Sequence, residues 1–285
     1  MFVIIFVHRT NISMETNDTI STANLHLLVK IFRGGIYFAT YNPLEDDTYQ
    51  GVSIVAEARD TFSLETIKDL VYENPLLLQE YARTYVLVDT TRFTFVPENI
   101  EPQESERPAY YDYCFPGHTD YVVENRLQIN RTYSLFGIDH ELYAFLCRTF
   151  SNPLILHPLT SLCEYFAQHS RNGNEAKVYL HLREKRLDVV VFKQGRLLLA
   201  NTFAVSTPED AAYFTLQIYK QLSLDQVRDR IYMVGDKALR QSLTPMLQEY
   251  VQSVLPYPFP SQLFRIGKDT IDAPFELITI PLCAL

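Results

Sequence analysis

Tryptophan is absent from the 285 residues, glycine is sparse at nine, and there are only four cysteines, at 114, 147, 163 and 283. Without Trp, the 19 Tyr and 18 Phe must supply the bulky packing, and buried Tyr hydroxyls need partners. No C-x-x-C pair and no finger-spaced His accompanies the cysteines, which argues against a structural zinc site. Cys147 and Cys163 fall on the apolar sides of predicted helices, as reduced buried thiols do, so the cytoplasm is the expected compartment. Long apolar runs are also missing: no stretch approaches the ~20 residues a spanning helix needs. The opening MFVIIFVHRTNIS has six apolar residues after Met1 but no basic flank or small-residue cleavage site. Residues 1–13 are therefore read as a start-site artefact or disordered tail, with METNDTIS from Met14 as the working start. Clustered positive charge is lacking too. The 25 Lys and Arg are scattered among 34 Asp and Glu, for a net charge of −9, which excludes a nucleic-acid binder. The densest basic spot, Arg183, Lys185 and Arg186, is interrupted by Glu184 and reads as a solvated turn.

What is present is a repeat. LHLLVKIF-RGG-IYFATY, GVSIVAEA, SLETIKDLVYENPLLLQEYA and YVLVD follow one another in the first half. VYLHLR-EKR-LDVVVF, GRLLLANTFAV, TPEDAAYFTLQIYKQL and IYMVGD follow in the same order in the second. Each copy reads as strand, tight turn, strand, strand, helix, strand, and each must bury a sheet face against its own helix. The prediction is an α/β chain of two βββαβ halves facing a cleft. Residues 14–172 form the first half and 173–285 the second, divided at Asn172-Gly173.

In the first half, strands are predicted over 25–32, 36–41 and 51–57, then a helix capped by Ser63. Asn74-Pro75 breaks that helix, and a second stretch is expected to run to about Ala82. Strands follow in YVLVD and RFTFVP. The Pro-punctuated stretch 97–120 reads as a long surface connection, whose Tyr110, Tyr111, Tyr113 and Phe115 either pack it down, the preferred reading, or present an aromatic docking surface. Strands near 121–129 and 132–137, a helix over 139–150 capped by Asp139, a short strand LILH and a helix over 158–169 complete it. In the second half, Thr207, Pro208 and Asp210 start a helix with Ala211, Phe214, Ile218 and Leu222 inward. Asp236 caps the next, kinked at Pro245, with Leu239, Leu243, Leu247 and Tyr250 inward. The Pro-rich run LPYPFP and a last apolar strand within FELITIPLCAL end the chain.

FTFVPE at 93–98, RTFSNPLILHPLTSL at 148–162, TPEDAAYFTLQIYKQLSLD at 207–225 and the terminal ITIPLCAL resemble an uncharacterised bacterial family. That family is assigned to the actin-like ATPase fold, of the wider ribonuclease H-like class, and the duplicated unit is the plan of that fold. In working members, the resemblance implies, the first hairpin turn of each half holds phosphate. An Asp there organises Mg²⁺, and a strand ending in paired glycines lies beside the adenosine. Here Arg33-Gly34-Gly35 keeps the glycines without the Asp, while Arg183-Glu184-Lys185-Arg186 has no glycine, and Asp188 falls two residues beyond. MVGD keeps Gly235 and puts Asp236 at the second glycine position, where it reads as a helix cap.

Phosphoryl transfer cannot be assembled from these residues. The expectation is a non-catalytic interaction or scaffold protein on a degenerate actin-like fold, with a protein partner or a second copy of itself and no cofactor. The alternative is a divergent Mg²⁺–ATP-binding or kinase-like protein whose cleft uses Arg33, Gly34, Gly35, Lys185, Gly235 and Asp236. His157 reads as a hydrogen-bonded structural residue, and His26 and His181, in matching first strands, are not expected to share a metal.

Overall fold

The computed structural model describes residues 22–56, 63–98 and 106–283; the reading of residues 1–13 lies outside the described residues. The chain opens with β1 (His26–Phe32), β2 (Gly35–Tyr41) and β3 (Gln50–Val55), then α1 (Leu64–Tyr72) and β4 (Arg83–Val88). An inserted unit follows: β5 (Phe93–Pro97), α2 (Arg107–Cys114), β6 (Tyr121–Leu127) and β7 (Thr132–Ile138). Next come α3 (His140–Thr149), β8 (Leu154–Leu156) and α4 (Pro158–His169). The second copy is β9 (Ala176–Arg183), β10 (Arg186–Lys193), β11 (Arg196–Ala204), α5 (Pro208–Gln221), β12 (Arg230–Gly235), α6 (Lys237–Gln248) and β13 (Ser253–Pro256). Two short helices close it, α7 (Ser261–Ile266) and α8 (Phe275–Ile278).

The sheets repeat one plan. Their orders are β3-β2-β1-β4-β8 and β11-β10-β9-β12-β13, with the first three strands antiparallel and the last two parallel to the first. A separate sheet, β5-β7-β6, belongs to the insertion. Period-two alternation explains how both faces are buried. Leu27, Val29 and Ile31 of β1 face α1 and α3, while Leu28 faces Leu263, Leu277, Ile278 and Ile280. In β9, Val178, Leu180 and Leu182 face α5 and α6, while Tyr179 faces α4. The caps are local: Ser63 Oγ accepts from Thr66 N–H, and Thr207 forms a capping box with Asp210.

Two segments cross between the sheets. α4 packs on the second sheet, with Phe166 stacked on Tyr179 at 4.0 Å, an aromatic contact worth about 1 kcal/mol beyond its buried area. The chain after Pro256 returns to the first sheet and covers the face that Leu28 and Leu87 present. No helix among the described residues is long and apolar enough to cross a membrane.

Several local readings need correction. The 97–120 stretch is no plain connection: α2 forms inside it, Pro108 sits in its first turn, and fully buried Tyr111 anchors it, although Tyr113 is 88% exposed. Residues 99–105 of that stretch, and residue 57 at the end of the predicted third strand, lie outside the described residues. Residues 275–283, the described part of FELITIPLCAL, form no strand, because Pro274 and Pro281 bracket short helical turns in which Leu277, Ile278 and Ile280 are buried without strand pairing. Tyr250 is exposed beyond the end of α6, and Cys147 is exposed on α3 where Cys163 is buried in α4. After Asn74 the chain makes only a 3-10 turn over Pro75–Leu78 before β4. β13, whose last two residues Leu255 and Pro256 open the Pro-rich run, pairs with β12.

Candidate functional site

The face of β9 and β10 turned towards α4 and α8 carries charge where the opposite face carries Val and Leu. His181 and Asp188 are direct cross-strand partners, and Arg183 and Arg186 are the next pair on the same face. Thr202 on β11 sits opposite Asp188. Alternation alone therefore builds a ladder: His181 Nδ1 lies 2.9 Å from Asp188 Oδ2, and the Thr202 hydroxyl donates to Asp188 Oδ1 at 2.7 Å. Arg183 grips the same carboxylate in a fork, Nε to Oδ2 at 2.9 Å and Nη2 to Oδ1 at 2.8 Å.

Residues of the other sheet and of α8 complete the seam. Arg183 Nη1 donates to Asp89 Oδ2 at 2.5 Å, and Arg186 Nη1 to Asp89 Oδ1 at 2.6 Å. Asp89 immediately follows β4, so one carboxylate of the first half takes both guanidinium groups of the second hairpin. At the other end, His181 Nε2 is 3.2 Å from Glu276 Oε2, and Lys30 of β1 is 2.6 Å from Glu276 Oε1. Four cations thus face three carboxylates, Asp89, Asp188 and Glu276, along one continuous line.

Burial sets the electrostatics. Asp188, His181 and Glu276 are all buried. Burial alone lowers the His181 pKa, but Glu276 and Asp188 outweigh it and raise it above 6.5. Burial alone raises Asp188, and the Arg183 and His181 charges reverse that and hold it well down. Glu276 follows the same pattern, lowered by Lys30 and His181 against its burial. Both His181 ring nitrogens lie against carboxylates, an arrangement that favours the imidazolium form.

Beside this seam opens a cavity of about 680 Å³, lined among others by Lys30, His181, Gly235, Asp236, Arg240 and Phe275. Gly235 has φ +91°, and a Cβ there would stand 2.1 Å from Leu182 O, so only glycine fits. Asp236 Oδ1 accepts from Leu239 N–H at 2.8 Å and caps α6, while Arg240 Nε donates to Gly235 O. Of the sequence-selected residues, Gly235 and Asp236 line the cavity. Arg33, Gly34, Gly35 and Lys185 do not, and Arg33 and Lys185 are exposed on their turns. Gly34 O accepts from Ala56 N–H, and Lys185 O from Val205 N–H, so each turn ties down its neighbouring strand.

The solvated-turn reading of Arg183 and Arg186 is corrected: their side chains are 13% and 30% exposed and paired with Asp89. Asp89, Lys30 and Glu276 escaped the sequence reading altogether. The one available signal was the alternation that puts His181, Arg183 and Asp188 on a single face. His157 is buried and structural, its Nε2–H donating to Thr90 O at 3.0 Å and its Nδ1 accepting from Leu159 N–H. His26 meets the Tyr41 hydroxyl. Among the described residues, no three His, Cys, Asp or Glu side chains are placed to hold a metal ion.

The duplicated sheet plan with its cleft is the actin-like ATPase fold. The chain is similar, at 25% identity and a TM-score of 0.79, to a Bacteroides thetaiotaomicron VPI-5482 protein of actin-like ATPase fold and unknown function, covering 94% of this chain and 99% of that one. It shares the fold of a PilM–PilN type IV pilus biogenesis complex, at 12% identity and a TM-score of 0.52, covering 90% of this chain and 97% of the other. More narrowly, the chain belongs to the family described as protein of unknown function DUF3822, which matches residues 14–254. No curated protein is similar to it in sequence.

Proposed function

We propose that this protein is a non-catalytic interaction or scaffold protein, its actin-like shape held together by its own charges instead of by a bound nucleotide. The observation that carries this reading is the Asp89 carboxylate joined to both Arg183 and Arg186. Those guanidinium groups flank the second hairpin turn, and Asp188 fixes the rest of Arg183. As arranged, the hairpin does not fit a phosphate chain with its Mg²⁺, so no step is assigned to one. Support also comes from the fold neighbour solved as a complex of PilM with PilN. The expected occupant of the surface is a protein partner or a second copy of this chain, in the cytoplasm, where the free thiols at 114, 147, 163 and 283 persist.

The second reading, a divergent nucleotide binder, draws on the cavity beside Gly235 and Asp236. Thermal unfolding of the full chain with millimolar Mg²⁺–ATP or Mg²⁺–ADP separates the two. A ligand at ~100 times its Kd stabilises by about 2.7 kcal/mol, a shift of several degrees at this size. The scaffold reading expects no shift, and a Mg²⁺-dependent rise overturns it. Light scattering against concentration distinguishes self-assembly from a separate partner.

A further inference from the structure

A second concavity lies between α1 and α3, the helices that cover the face of β1 opposite Lys30 and the charged seam. Lys68 and Tyr72 stand one turn apart on α1; Phe145, Arg148 and Thr149 share one face of α3; and Leu78 follows from the 3-10 turn after α1. Together they line a groove of about 520 Å³. Phe145, 2% exposed, forms the floor. Tyr72 stands edge-on to it at 5.9 Å, and the Lys68 ammonium lies 6.0 Å from its ring centre. Tyr72 and Leu78 remain 58% and 46% exposed, which are large apolar surfaces to leave in water.

The charge at this groove is the reverse of the chain as a whole. Neither Lys68 nor Arg148 has a carboxylate partner among the described residues, and no acid lines the groove. Arg148 makes only a bond from Nε to the Ala144 carbonyl of its own helix, at 3.1 Å. In a protein of net charge −9, this groove is lined by two cations without a carboxylate partner, while the acids of α1, Glu65 and Asp69, lie outside its lining. The complement of the two cations is an acidic segment with an apolar anchor, the anchor seated against the exposed Tyr72 and Leu78 above the buried Phe145.

We propose that the groove between α1 and α3 docks a short acidic peptide segment of a partner protein, anchored by an aromatic or leucine side chain. This deepens the interaction reading given above and rests on it. The test is selection of a displayed random-peptide library against the full chain, followed by fluorescence anisotropy with a labelled synthetic copy of the most enriched peptide. Enrichment of sequences with Asp or Glu flanking Phe, Tyr, Trp or Leu is expected. Their affinity should fall at least tenfold in Lys68→Glu/Arg148→Glu and stay unchanged in the control Lys193→Glu/Arg196→Glu. Should the double reversal fail to fold, the wild-type chain still decides, because binding must weaken about tenfold between 50 and 500 mM NaCl as exposed charge pairs are screened. Selected peptides that lack the acid-and-anchor pattern, bind the reversal variant equally, or ignore salt overturn the proposal. Those outcomes leave the nucleotide-shift experiment untouched, so the groove and the scaffold reading fail separately.

Discussion

At the β1–β2 turn the left-handed position is Gly34, with φ +86°; at the β9–β10 turn it is Lys185, with φ +58°. Both turns are two residues long, closing Phe32 against Gly35 and Arg183 against Arg186. The backbone has been duplicated faithfully while the side chains have gone separate ways. The residues closing the first turn are an aromatic ring and a glycine whose Cβ would stand 2.4 Å from Ile54 O. Those closing the second are two arginines joined to the other half of the molecule. A fold thus keeps its geometry through hydrogen-bond register, and register places few demands on chemistry at the turn.

The sharpest way to break this comparison is to remove the charge the second hairpin is built around. Asp188→Ala leaves His181 and Arg183 buried without their shared carboxylate and is expected to cost about 3–5 kcal/mol in urea unfolding. A loss below 1 kcal/mol would mean the ladder contributes little. Asp89→Asn keeps the size but weakens the link between the sheets, and should cost about 2 kcal/mol, the scale of a hydrogen bond to a charged group.

Titration gives a smaller effect of known sign. The His181 pKa is raised on folding, so its share of stability is full below the unfolded value of 6.5 and fades as pH climbs through the higher folded value. Asp188 and Glu276 are displaced downward, so theirs is full above 3.8 and 4.5 and fades as pH falls through the lower folded values. His157, lowered by burial, acts in the opposite direction to His181 near 6.5, and Glu164, pushed up to about 6, changes within the same range. The readout is therefore the difference in unfolding free energy between wild type and His181→Gln, which should shrink from pH 6 to pH 9. A difference that grows contradicts the ion pairs assigned to His181.

The smallest test exchanges the turns. Gly34→Ala puts a side chain at φ +86° and should cost about 1 kcal/mol. Lys185→Gly relieves a strained position but loosens the unfolded chain, so the net change should stay within about 0.5 kcal/mol. Equal costs in the two turns would show that they are not equivalent in the way their φ angles suggest.

The repeat was legible because its signals are local: alternation in LHLLVKIF and LDVVVF, caps at Ser63, Thr207 and Asp236, and Gly235 at a strand end. α2 was hidden by Pro108 and its acidic approach, although a first-turn proline is compatible with a helix. The closing segment looked like a strand because its apolar residues are dense, and only tertiary packing shows that they are covered without pairing. The charged seam was illegible for another reason. Asp89 and Arg183 are separated by 94 positions, and nothing short-range announces that a strand-end carboxylate will meet a hairpin in the other half. Gly235 and Asp236 could be found from a motif, whereas Asp89, Lys30 and Glu276 needed the fold.

The return of the chain to the first sheet after Pro256 also fixes an order of events during synthesis. The face holding Leu28, Tyr85 and Leu87 is made early, yet its cover of Leu263, Leu277, Ile278 and Ile280 leaves the ribosome almost two hundred residues after β4. Even after β8 completes that sheet at Leu156, a nascent chain in which it has formed would present it unroofed, the sort of surface that holdase chaperones bind. Glu276 arrives in the same late stretch and brings the partner of both Lys30 and His181. One short segment therefore shelters the early sheet and neutralises the buried charges, and translation has to reach it before either half is safe from misassembly.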